Sequence, residues 1–107
     1  MNKNLDTQSW KKKLFEDSDA ICLDVRTLIE YNESHIPNSV NIDIYDPTSF
    51  MKKINDLDHS KSYFIYCKSG KRSQMACEIM SQYGFNKLFN LMGGIEDWIE
   101  KGNETIR

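Results

Sequence analysis

Apolar and polar positions follow two rhythms along the chain. Ala20-Ile21-Cys22-Leu23-Asp24-Val25 and Tyr63-Phe64-Ile65-Tyr66 are short, nearly continuous apolar runs, the mark of strands buried on both faces of a parallel sheet. Lys87-Leu88-Phe89-Asn90-Leu91 reads as the last strand, and Val40-Asn41-Ile42-Asp43-Ile44 alternates like a strand with one polar face. Helical spacing fills the intervals. Asp6 or Thr7 can cap a first helix with Trp10 and Leu14 inward and Lys11 to Lys13, Glu16 and Asp17 in water. Thr27-Leu28-Ile29-Glu30 fits a capping box, and Ile36-Pro37-Asn38-Ser39 breaks the helix it starts. Asp46-Pro47 supplies an N-cap and a first-turn proline to a helix whose buried stripe is Phe50, Met51, Ile54 and Leu57. Met75, Ala76, Ile79, Met80 and Tyr83 mark a further helix, which should stop at Gly84 in the left-handed conformation. Gly93-Gly94 turns the chain into a final helix with Ile95, Trp98 and Ile99, ended by Gly102. Strands alternating with helices predict an α/β fold: an open, mostly parallel sheet with helices on both faces.

The totals narrow the function. At 107 residues the chain is expected to form one domain, residues 1–107. With 39% hydrophobic and 28% charged residues, its composition is that of an ordinary globular protein. A net charge of -2 with both signs interspersed gives no footprint for nucleic acid. Met1-Asn2-Lys3-Asn4-Leu5-Asp6 has no apolar leader core and no run approaches a membrane span, so a cytoplasmic protein is expected. Three cysteines at 22, 67 and 77 are an odd number without metal-ligand spacing, which argues against a disulfide framework and for a reducing compartment. No metal or cofactor is expected, and a monomer is the expected state.

Chemistry concentrates after the Tyr63 to Tyr66 run. Cys67 stands at a strand-to-helix turn, followed by Lys68, Ser69, Gly70, Lys71, Arg72 and Ser73. Such a turn points the unpaired N–H groups of a helix start at the cysteine and favours its thiolate. Lys68, Lys71 and Arg72 add full charges in a chain that is slightly acidic overall, so the turn reads as a nucleophile inside an anion cradle. In open α/β sheets ligands bind beyond the carboxyl ends of strands, which is where Cys67, Asp24 to Thr27 and Gly93-Gly94 all fall.

Cys67-Lys68-Ser69-Gly70-Lys71-Arg72-Ser73 resembles the Cys-x-x-Gly-x-Arg-Ser/Thr loop of rhodanese-type sulfurtransferases. Leu23-Asp24-Val25-Arg26 with Glu30 and Tyr31, His35-Ile36-Pro37-Asn38-Ser39-Val40-Asn41-Ile42, and Gly93-Gly94-Ile95-Glu96-Asp97-Trp98 fall in the family's order over nearly the whole chain. One departure is Ser34, where the family usually has glycine before the histidine; it bears on a local turn.

The resemblance implies a thiosulfate-type sulfurtransferase with a rhodanese-like sheet. Cys67 would be the nucleophile that carries sulfur as a persulfide. Lys68, Ser69, Gly70, Lys71, Arg72 and Ser73 would form the donor site, with Arg26 as a further site-lining cation. The donor would be a small sulfur-bearing anion, and the acceptor cyanide, a small thiol or a protein. Cys22 reads as packing, as does Cys77, for which a resolving thiol is the alternative. Asp24 reads as structural, His35 as a loop anchor, His59 as exposed, and Trp10 and Trp98 as core anchors.

Two other classes compete. Cysteine phosphatases and arsenate reductases that resemble rhodaneses also end an anion cradle in arginine, but their loop commonly holds one residue more than the four between Cys67 and Arg72. The shorter loop favours a sulfur-sized pocket. Rhodanese-like regulatory modules often lack the active cysteine, which this chain keeps.

Overall fold

The structure, a computed structural model, describes residues 2–107. In chain order they form β1 (Asn2–Leu5), α1 (Thr7–Glu16), β2 (Ile21–Asp24), α2 (Leu28–Glu33), β3 (Ser39–Asn41), α3 (Pro47–Asn55), β4 (Ser62–Tyr66), α4 (Lys71–Gln82), β5 (Lys87–Leu91) and α5 (Gly94–Glu100). The strands make one parallel sheet, as the alternation of strands and helices predicts, and their order is β1-β5-β4-β2-β3. Trp10, Phe64, Tyr66, Leu91, Ile95 and Trp98 pack on one face. Leu23, Phe50, Ile54, Tyr63, Ile65, Met80 and Leu88 pack on the other. Trp10 anchors the first layer, edge-on to Phe64 and Trp98 at 5.8 Å each. No helix among the described residues is long and apolar enough to cross a membrane.

Local signals hold where local chemistry makes them. The Asp6 and Asp46 carboxylates accept from Ser9 N–H and Ser49 N–H, capping α1 and α3. Both halves of the Thr27/Glu30 capping box are present. Gly84 follows α4 at φ 92°, and Phe85 N–H reaches back to Met80 O. Ser34 sits at φ -170°, extended backbone that needs no glycine, so the family's usual residue there is dispensable in this chain.

One strand carries no sequence expectation, and three expectations are corrected. Strand β1 gives no hydrophobic signal, because Asn2, Lys3 and Asn4 are exposed on a sheet edge; it is held by pairing with Leu88 to Leu91. Strand β3 stops at Asn41 instead of running to Ile44, and Val40 is exposed. At its last residue Asn41 Nδ2 donates to the Asp24 and Arg26 carbonyls, which ties the chain across the end of β2. In α4 the buried stripe is Ser73, Ala76, Cys77 and Met80, while Met75 and Tyr83 face solvent. The helix is turned to bring Ser73 onto a thiol, and that polar inward position hides the true stripe from a hydrophobic pattern. Ile99 is likewise exposed on α5.

Candidate active site

Cys67 follows β4 directly and is 1% exposed. Gly70, the N-cap of α4, has φ 99°, a conformation that brings its N–H back to Cys67 Sγ at 3.1 Å. Ser73 Oγ–H donates to the same sulfur at 3.4 Å. No side chain fits at position 70: a Cβ there would lie 2.1 Å from Met92 O. The loop is framed from outside as well. Ile95 N–H donates to Cys67 O at 2.9 Å and Glu96 N–H to Lys68 O at 3.2 Å, so the start of α5 draws these carbonyls away from the thiol. The first turn of α4 leaves the N–H groups of Lys71, Arg72 and Ser73 without intrahelical acceptors, since the first such bond runs from Gln74 N–H to Gly70 O.

The cations around the loop divide. Lys68 and Lys71 are exposed, as is Ser69. Arg72 forms a bidentate pair with Glu30 at 2.7 and 2.9 Å and lies 5.2 Å over the Tyr45 ring. The Arg72 bond and the Thr27 cap hold the Glu30 carboxyl down at about 2 against its burial, and Glu30 in turn raises the guanidinium. Arg26 departs from the expected lining position: its guanidinium is buried, donating to both Asp24 oxygens at 2.6 to 3.1 Å and to Ser34 O at 2.7 Å. It braces the turn after β2 and stacks 5.6 Å from the Tyr66 ring.

Because Glu30 is held below its ordinary 4.5, its contribution to stability is complete above that value and is lost as pH falls toward 2. Its side chain is 26% exposed, and screening limits the effect to about 1 kcal/mol. Urea unfolding of wild type and Glu30→Gln should differ by that amount at about pH 6 and converge near the acid limit. A difference that stays constant with pH would refute the assignment.

The histidines are engaged elsewhere. His35 stacks on Tyr31 at 3.8 Å with Nδ1 2.9 Å from Tyr31 O, and His59 stacks on Phe85 at 4.2 Å. Cys22 and Cys77 are buried in the core, as the packing reading expects; burial pushes the Cys77 thiol up to about 12 and Cys22 higher still. Among the described residues no cluster of metal-ligating side chains occurs. Missed at the sequence level were Glu30 as the partner of Arg72, the α5 N–H groups, and Asn90, whose Nδ2 donates to Gly70 O at 3.2 Å. The available signal for Asn90 was its position as a polar residue inside the apolar β5 run.

A family model described as a rhodanese-like domain matches residues 7–101. The chain belongs to the rhodanese-like family. This rhodanese-like chain is 36% identical over 94 residues to the Bacillus subtilis protein YrkF, spanning 88% of the chain but only 49% of that relative's length. It is 28% identical over 102 residues to a protein named sulfurtransferase from Allochromatium vinosum, covering 95% of the chain and 92% of that protein. Among solved structures, a rhodanese-related protein from Thermoplasma volcanium superposes with a TM-score of 0.82 at 31% identity, covering 97% of both chains. The rhodanese-like fold and a sulfurtransferase family assignment therefore stand together.

Proposed function

We propose that this rhodanese-like chain transfers sulfane sulfur through a persulfide on Cys67, taking it from thiosulfate or another small anionic donor. The observation that carries this reading is the environment of Cys67 Sγ: both groups that reach it, Gly70 N–H and Ser73 O–H, are donors. Donors converging on sulfur stabilise negative charge there with little reorganisation, which is what this chemistry asks of a site.

In the first half-reaction the Cys67 thiolate attacks the outer sulfur of thiosulfate. A new S–S bond forms, the old one breaks, and sulfite leaves with its electron pair, already a stable anion that requires no general acid. The persulfide extends outward by about 2 Å, the length of an S–S bond. The deeply set Cys67 thus delivers its terminal sulfur nearer the surface. Lys68 and Lys71, exposed at the mouth, attract the donor anion. In the second half-reaction cyanide, a small thiol or a protein thiol takes the terminal sulfur, and the electron pair of the broken bond returns to Cys67.

Arg72 supports sulfur transfer over phosphatase chemistry. A phosphatase arginine must clamp a tetrahedral oxyanion with its guanidinium, whereas Arg72 holds Glu30 with both terminal nitrogens.

The test is thiocyanate formation from thiosulfate and cyanide by wild type and Cys67→Ser, beside an aryl-phosphate assay. Wild type should produce thiocyanate and carry a mass increment of one sulfur atom after thiosulfate alone; Cys67→Ser should do neither. Cys67-dependent phosphate release without thiocyanate would overturn the proposal.

A further inference from the structure

Strand β5 presents alternate residues to the two faces of the sheet. Leu88 packs with Tyr63, Ile65 and Met80 on the α4 side, and Leu91 packs with Trp10 and Trp98 on the other. By this alternation Asn90 shares the face of Leu88, in register with Ile65 on one side and Asn4 on the other. A primary amide in that position is costly. Asn90 is 1% exposed and its Oδ1 has no hydrogen-bond partner. Its Nδ2, in contrast, is fully used, donating to Asn4 Oδ1 at 2.9 Å and to Gly70 O at 3.2 Å. The second acceptor belongs to the residue whose N–H meets Cys67 Sγ.

We propose that Asn90 is a positioning residue for the sulfur site, gripping the Gly70–Lys71 peptide from beneath so that Gly70 N–H stays on Cys67 Sγ and Lys71 N–H faces the incoming donor. The peptide is planar and trans, so its C=O and N–H point in opposite directions. Holding Gly70 O down onto β5 therefore aims Lys71 N–H up and out of the helix start. Gln74 N–H draws on the same carbonyl from within the helix, and Asn90 adds the grip that comes from the sheet. Asn4 supplies the outer brace. The polar edge strand, which contributes little to the core, thereby fixes the rotamer of a residue that touches the loop. Two glycine constraints leave the Gly70 peptide without a side chain of its own to hold it, which is why the restraint has to come from a neighbour.

The role of Asn90 in turnover rests on the sulfur-transfer reading, and its test separates the two. With the full chain and thiosulfate as donor, the first-order rate of Cys67 persulfide formation is read by quenched mass spectrometry. Asn90→Leu, which removes the donor without adding charge, should slow this rate about tenfold at every pH, with the half-saturating thiosulfate concentration changed less than about twofold. Asn90→Asp keeps the shape and should be slowed similarly near neutrality, but should regain wild-type rates as pH falls and its carboxyl acquires a proton to donate to Gly70 O. Asn4→Ala, on an exposed edge and safe for folding, should lose about threefold on the same rate. Alkylation of Cys67 by iodoacetamide, followed by peptide mass mapping, should fall in the same order and does not depend on sulfur transfer. Asn4→Ala and a folded Asn90→Leu that form persulfide and alkylate at wild-type rates overturn the proposal, as does a loss confined to the charged Asn90→Asp. If wild type takes up no sulfur, the function reading fails, and the alkylation series alone decides on Asn90.

Discussion

Gly94→Ala should cost about 3 to 5 kcal/mol of stability, with the loss read as a lower urea midpoint. Two independent effects add. Gly94 has φ 64°, where an L side chain is strained by about 1 to 2 kcal/mol. A Cβ at this position would also lie 2.2 Å from Lys68 O, 2.4 Å from Lys68 C and 2.6 Å from Ser69 N. These are backbone atoms of the Cys67 loop, held in place by the Ile95 and Glu96 N–H groups, so no side-chain rotation relieves the overlap. Gly102 is the internal control: it has φ 82° but nothing within 4 Å of its added Cβ, so Gly102→Ala should show the conformational strain alone. If the two substitutions destabilise equally, the close approach of the two loops is not tight. Among variants that still fold, sulfur uptake should fail in Gly94→Ala and survive in Gly102→Ala.

The second large effect is expected at the buried pair beneath the β2 turn. Asp24 is 0% and Arg26 5% exposed, and Asp24 accepts from the Arg26 backbone N–H as well as its guanidinium. Asp24→Ala would strand a buried guanidinium with only Ser34 O as its remaining acceptor, at a cost of about 3 to 5 kcal/mol. Replacing both partners, as Asp24→Leu with Arg26→Met, should cost clearly less than the sum of the single changes. A double-mutant cycle in urea measures the coupling, expected above about 2 kcal/mol. Additive single effects would show that the pair is solvated and that the turn is held by other bonds. Since Arg26 faces inward, its loss should affect stability more than the affinity for a sulfur donor.

How much of this was legible in the chain depends on how far each interaction reaches. The Thr27/Glu30 box, the Asp46-Pro47 start and the Gly84 stop are decided within a few residues, and each appears in the structure. The Cys67 loop was legible for the same reason, because its strand, turn glycine and helix are contiguous. Strand β1 was not: Asn2 to Leu5 carry no apolar rhythm, and only a partner more than eighty residues away makes them a strand. Arg72 was read as a cation for the substrate because a sequence shows its charge but not the carboxylate on α2 that claims it. Asn90 went unread, and Ser73 was read as part of the donor loop but not as the start of the inward stripe of α4, for a related reason. Each is a polar residue on an inward face, where a hydrophobic pattern registers only an interruption.

The bonds from α5 to the Cys67 loop set an order of events in biosynthesis. A nascent chain that has emerged through β5 already carries the cysteine, its glycine turn and the helix behind it. It does not yet carry the two N–H groups of Ile95 and Glu96 that turn the Cys67 and Lys68 carbonyls aside, nor the Gly94 surface on which the loop rests. Chains are made at about 5 to 20 residues per second, so about half a second to two seconds pass between the emergence of β5 and that of α5. During that interval the thiol is present without the frame that shapes its reactivity, and the site is assembled in one step when α5 docks.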